Sequence, residues 1–297
     1  MRYLDGSGDK LMRRIDYLFL IPAVVVLVAL VALPLGQVFS QSLTNAKLLA
    51  TIRQFVGFAN YLKLVQDKRF WNSVTVTLLL ASISLVLQVT VGLGLALVVQ
   101  KDFALSRLGR SLFVVPIVLP PVVVAIVWRM LFSSVLPGIN YFLSLVGIDG
   151  PAWFDRGWSA RFAIIIAHAW YCVPYVMLML LAGLESLPEE PVAAAYVDGA
   201  NGWQIFAFIT LPMLKPVLIF TTIYRAVQAL KIFGLVYIMT GGGPGVTTEP
   251  MSFHIWRIGF ASYKVGYAST IAVMMFFLIL LIVLAMGWYG RRSGAIR

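Results

Sequence analysis

Residues 17–39, 71–99, 111–128, 162–184 and 265–290 contain no Asp, Glu, Lys or Arg. An α-helix rises about 1.5 Å per residue, so roughly 20 apolar residues cross the ~30 Å hydrocarbon core of a bilayer. Lipid offers the backbone no hydrogen-bond partners, and a helix satisfies its own. These runs therefore predict an all-α membrane protein. Extending the third run to residue 132, past Arg129, keeps it long enough to span. A further apolar stretch, 212–239, holds Lys215, Arg225 and Lys231. It reads as a span because the chain must cross back before its last helix. Six transmembrane helices result, at about 17–39, 71–99, 111–132, 162–184, 212–239 and 265–290.

Composition agrees with lipid as the solvent. The 297 residues are 61% hydrophobic and 12% charged, against about half and about a quarter in soluble domains. A net charge of +11 could point to nucleic acid. Its placement beside apolar runs points instead to basic flanks facing anionic lipid. Arg2, Lys10, Arg13 and Arg14 lie in residues 1–16, Lys101, Arg107 and Arg110 follow the second run, and Arg291, Arg292 and Arg297 lie in residues 291–297. With six spans these segments share one side, and the positive-inside rule predicts both termini to be cytoplasmic in a bacterial inner membrane. Trp71, Trp158, Trp288 and Tyr289 stand near span ends, as in an interfacial aromatic belt. The first run is longer than a signal-peptide core, so it reads as a retained anchor.

One loop departs from this charge pattern. Residues 185–205 contain no Lys or Arg but carry Glu185, Glu189, Glu190 and Asp198. Pro191 suits the first turn of a helix, the glutamates suit its positive end, and Gly199 suits its exit. Ala193, Ala194 and Ala195 would give a smooth face to a surface helix about 15 Å long. A solvated acidic turn is the plainer alternative for the same residues.

This loop also carries a resemblance. Ala193 to Ala200 reads AAAYVDGA, followed by Phe206, Leu211 and Pro212, and resembles the EAA loop of ABC importer permeases. GFANY at 57–61 with FWNSVTVTL after it, VPIVLPPVV at 115–123, and FGLVYIMTGGGPG at 233–245 followed by Thr248 and Glu249 resemble the maltose and glycerol-3-phosphate type. Together they cover most of the chain in the expected order. The resemblance implies a type I ABC importer permease fold with a cytoplasmic coupling helix, formed here by Ala193, Ala194, Ala195, Asp198, Gly199 and Ala200. It implies half of a translocation pathway for a sugar or sugar-like solute. It also implies partners: a second permease, two ATPase subunits binding ATP and Mg, and an extracytoplasmic solute-binding protein. Two positions depart from the pattern: Ala193 stands where the family's loop glutamate would be, and Gly234 where Asp is frequent.

The chain itself shows no catalytic constellation. There is no phosphate-binding Gly-x-x-x-x-Gly-Lys-Ser/Thr, and its two histidines, His168 and His254, have no metal-ligand spacing. The lone Cys172 excludes an internal disulfide and reads as a small apolar residue. No metal or cofactor is expected on this chain. A solute path should show as a polar stripe on an otherwise apolar helix. Thr221, Tyr224, Arg225, Gln228 and Lys231 form one such stripe, and Tyr171 and Tyr175 begin another with His168, which reads more simply as a packing histidine. Aromatic faces with hydrogen-bonding groups suit a sugar, while Arg225 and Lys231 leave an anionic solute open. Gly241, Gly242, Gly243 and Pro244 read as a tight external loop able to touch a binding protein or the solute. A carrier or channel working without an ATPase is the rival reading, and it leaves the DGA loop unexplained.

Overall fold

The structure is a computed structural model that describes residues 6–50, 53–100, 115–135 and 138–294, with side chains described from residue 21 onward. Among the described residues all regular structure is helical, and the one β-bridge pairs Thr44 with Phe55. In chain order the helices are α1 (Gly6–Ser42), α2 (Ala59–Gln66), α3 (Lys68–Val99), α4 (Pro121–Leu131), α5 (Ile139–Leu145) and α6 (Gly157–Glu185). There follow α7 (Glu190–Val197), α8 (Gly202–Ile205), α9 (Leu211–Leu230), α10 (Gly234–Met239), α11 (Met251–Trp256) and α12 (Val265–Arg292).

Among the described residues, five segments are long and apolar enough to cross a membrane: Ile21–Ser42, Lys68–Val99, Gly157–Glu185, Gly202–Leu230 and Val265–Arg292. The third expected span, 111–132, is different. Residues 111–114 lie outside the described residues, and the helical turn at 115–118 stops at Leu119. Pro120 is held at ψ 138°, because the ring of the following Pro121 disfavours helical geometry in the residue before it. Helix α4 then restarts with Pro121 in its first turn, where the missing N–H costs nothing. At 11 residues, α4 is about 16 Å long, short of a full crossing.

The fifth span is also displaced from 212–239. It begins at Gly202 and reaches α9 through a π-helical turn at Phe206–Thr210. There the Leu211 N–H reaches back five residues to the Phe206 carbonyl. The wider turn precedes Pro212, which has no N–H to offer the normal ladder. At the far end the helix stops at Leu230, and α10 starts afresh at Gly234. The Ser252 hydroxyl donates to the Ile232 carbonyl freed by this break.

Helix α6 is the centre of the molecule. Ala163, Ile164, Ala167, Val176, Met177 and Leu180 on it are buried against α3, α9 and the α10 region. Close approach is set by small residues: a Cβ on Gly92 of α3 would lie 2.7 Å from Val176, and one on Gly183 of α6 would lie 2.8 Å from Val217 of α9. Small residues at helix crossings let backbones meet where lipid provides no hydrophobic drive between helices. Helix α1 is peripheral. None of its apolar membrane window is buried, and Phe39 meets Phe276 and Phe277 of α12 edge-on.

Candidate functional site

A cavity of about 290 Å³ opens between α6, α9 and the α9–α10 break. Helix α6 contributes His168, Tyr171, Cys172 and Tyr175, whose spacing places all four on one face. Helix α9 contributes Tyr224, Arg225 and Gln228 by the same rule, and Pro121, Phe233 and Gly234 close one end. The Tyr171 and Tyr175 rings meet edge to face at 6.4 Å. Three tyrosines and a glutamine supply apolar faces rimmed by hydrogen-bonding groups.

Arg225 is the cavity's one formally charged side chain, and it is 5% exposed. Its Nε donates to Oε1 of Gln88 at 3.1 Å, and its guanidinium lies 5.8 Å from the centre of the Tyr175 ring. The amide nitrogen of Gln88 stands 3.4 Å from His168 Nδ1. One amide from α3 thus links α9 and α6. Gln88 is fully buried, on the face that also carries Thr77 and Ser84.

The expected α9 stripe divides in the structure. Tyr224, Arg225 and Gln228 line the cavity, with Tyr171 and Tyr175 opposite. Thr221 is fully buried with its hydroxyl unpartnered, away from the lining. Lys231 caps the end of α9 and is exposed, because the helix ends before another turn could carry it inward. His168 and Cys172, read from sequence as packing residues, both stand on the cavity wall. Gln88 was missed. Its signal was present as the one amide side chain in the uncharged run 71–99 other than Asn72 at its start.

A second polar centre lies beside the glycine-rich loop. Gly241, Gly242 and Gly245 adopt φ of 59°, 85° and 60°, a region open to glycine at little cost. The Thr240 and Thr248 hydroxyls meet at 2.8 Å, and that of Thr248 donates to the Gly243 carbonyl. Gly243 and Pro244 are half-buried and Gly242 is buried. The loop is therefore anchored inward: Asn72 donates to the Val246 carbonyl and Arg161 to that of Thr247. At its end Glu249, fully buried, accepts two hydrogen bonds from Arg69, one on each oxygen, and one from Arg257 on Oε2, with His254 Nδ1 against Oε1. Burial alone would raise the Glu249 carboxyl, but the His254 and Arg69 hydrogen bonds outweigh it and hold it below its usual range.

The loop joining α6 to α9 folds as α7 and α8. Gly199, at φ 79°, ends α7: its N–H donates to the Tyr196 carbonyl and the Ala200 N–H to that of Ala195. This is the Schellman pattern, which favours glycine for its left-handed residue. Asn201 and Gln204 then cap α8 reciprocally. Ala193, Ala194 and Asp198 are exposed, Ala195 is buried and Ala200 is half-buried. Tyr196, Val197 and Trp203 stand out from the same loop.

The model of one family, described as "Binding-protein-dependent transport system inner membrane component", matches residues 88–294. A trehalose/maltose transport system permease of Thermococcus litoralis is 34% identical over 90% of this chain and 90% of its own. A sulfoquinovosyl glycerol transport system permease of Agrobacterium fabrum is 33% identical over 93% of this chain and 88% of its own. Among solved structures, a chain of a bacterial ABC transporter that imports the acidic polysaccharide alginate superposes with a TM-score of 0.81 at 22% identity. That match covers 96% of this chain and 98% of the solved one. A chain of a bacterial alginate ABC transporter in complex with an alginate pentasaccharide-bound periplasmic protein superposes with a TM-score of 0.81 at 22% identity.

Proposed function

The chain belongs to the family of inner-membrane components of binding-protein-dependent transport systems, and from that premise we propose how it handles its solute. It is a non-catalytic permease subunit of a sugar ABC importer. The ATPase resides on a separate subunit. The chain forms half of the translocation path, and the observation that carries this reading is the cavity between α6 and α9. Its tyrosines and Gln228 offer apolar faces and hydroxyl-matching groups together, the chemistry a sugar ring requires.

The two helices that wall this cavity are joined directly by α7 and α8. We assign α7 and its Asp198, Gly199 and Ala200 exit as the coupling helix, seated on an ATPase subunit. Movement of that subunit on binding ATP and Mg would then shift α6 and α9 and switch the cavity's opening. Such a lever needs two conformations of similar energy, one of which the ATP-bound partner favours. A second permease completes the path, two ATPase subunits drive it, and an extracytoplasmic binding protein delivers the sugar. Both termini and the α7–α8 loop lie on the cytoplasmic side.

The test is to tag this chain, extract it gently from membranes and identify what co-purifies. An ATPase with a second permease is the expected result, with the ATPase depleted and the second permease retained in Gly199→Trp. A stable complex without an ATPase would contradict the reading and favour a carrier.

A further inference from the structure

Resting on the reading that the cavity beside α6 and α9 carries the transported sugar, the geometry points to a sugar bearing an oxyanion as its substrate class. Arg225 is nine-tenths buried in a membrane-spanning helix, yet no carboxylate pairs with it among the described residues. Its partners are neutral: the Gln88 amide and the Tyr175 ring. None of the cavity's lining residues is acidic. A buried cation left without a counter-charge is costly, and inside a membrane it is kept where it meets an anion or lines a path.

The guanidinium is also held in place. Gln88 occupies its Nε and in turn reaches His168 Nδ1, so α3 and α6 fix the fork from behind. Its other N–H donors are left for the cavity, in the planar array that grips a carboxylate or phosphate in bidentate fashion. Tyr171, Tyr175 and Tyr224 surround it with ring faces and hydroxyls for the rest of the sugar. Gln88 is a positioning residue in this account, and Arg225 makes the contact.

The test uses the complete transporter with its binding protein in proteoliposomes. Three labelled probes are compared: a hexuronate disaccharide, the same disaccharide with its carboxylates reduced to alcohols, and a phosphorylated disaccharide. ATP-dependent uptake of one oxyanion-bearing probe should exceed that of the neutral probe by about tenfold or more, the worth of one charged hydrogen-bonding contact. The carboxylate and phosphate arms then separate the two possible anions. Arg225→Gln should remove that preference, and Arg225→Lys should retain part of it. Gln88→Glu is the second variant, since it places a carboxylate beside Arg225 without changing side-chain size. It should lower anionic uptake well beyond any change in neutral uptake, even if Arg225→Gln fails to assemble. Equal or preferred uptake of the neutral probe by the wild-type transporter overturns the inference while leaving the sugar reading in place. Equal loss of all probes in both variants also overturns it, as expected if Arg225 serves a carboxylate of the second permease. Uptake of none of the three, with ATP hydrolysis still stimulated by a loaded binding protein, overturns the sugar reading and this inference with it.

Discussion

Arg69 donates two hydrogen bonds to Glu249, at 3.0 and 2.7 Å, across 180 positions of sequence. This pair fastens the start of α3 to the end of the glycine-rich loop. Arg257 adds a third bond from the turn before α12. The carboxylate is fully buried, while Arg69 and Arg257 keep part of their side chains exposed.

Glu249→Gln should therefore destabilise the loop and the helix ends it holds. Removing one partner of a buried ion pair costs about 3–5 kcal/mol. The hydration available to Arg69 and Arg257 puts the expected loss at the lower end, near 3 kcal/mol. Thermal unfolding in detergent checks this, and an unchanged melting temperature would contradict it.

The same carboxylate makes stability depend on pH in one direction. Its folded value is depressed below the usual 4.5 by His254 and Arg69, against the opposing effect of burial. Its contribution is thus fully present above about pH 4.5 and is lost as pH falls through the folded value. Asp67, lowered by hydrogen bonds from Tyr267 and the backbone despite burial, adds a loss in the same acid range. Melting of wild type should fall toward that of Glu249→Gln between pH 5 and more acid conditions, with the variant's curve flatter. Parallel curves would contradict this assignment.

Gly92 tests the α3–α6 crossing. An added Cβ there meets Val176 at 2.7 Å and 2.8 Å and the Met177 backbone at 3.2 Å, whereas one on Gly94 meets nothing within 4 Å. Gly92→Val should cost about 1–3 kcal/mol or more by overpacking, and Gly94→Ala should not destabilise. A melting series on the two variants decides it, and equal behaviour would remove the tight crossing from the account.

Much of this architecture was legible in the sequence, and the exceptions have specific causes. The uncharged runs at 71–99, 162–184 and 265–290 became α3, α6 and α12 because apolar length is a local property. Pro120 and Pro121 also sat in plain view, yet the third run was read through them, and the structure breaks it there. The end of α9 at Leu230 is harder to foresee, since the Ser252 hydroxyl that donates to the freed Ile232 carbonyl comes from another element. That distance in sequence also hid Gln88 behind Arg225 and Glu249 behind Arg69. The α9 stripe was visible as spacing, but spacing could not say that Thr221 faces packed helices or that Lys231 lies beyond the last turn.

The central claim is that α7 passes the work of ATP to the helices that wall the cavity. Gly199 is its sensitive point, because its φ of 79° is strained for any side chain although the surrounding space is open. The direct measurement is ATP-dependent sugar uptake by proteoliposomes containing the complete transporter, read beside ATP hydrolysis in the same vesicles. Gly199→Trp should insert with the wild-type packing of its spans, since nothing packs against it, but distort the exit of α7 and accumulate little sugar. Uptake and hydrolysis both at wild-type levels in that variant would contradict the account.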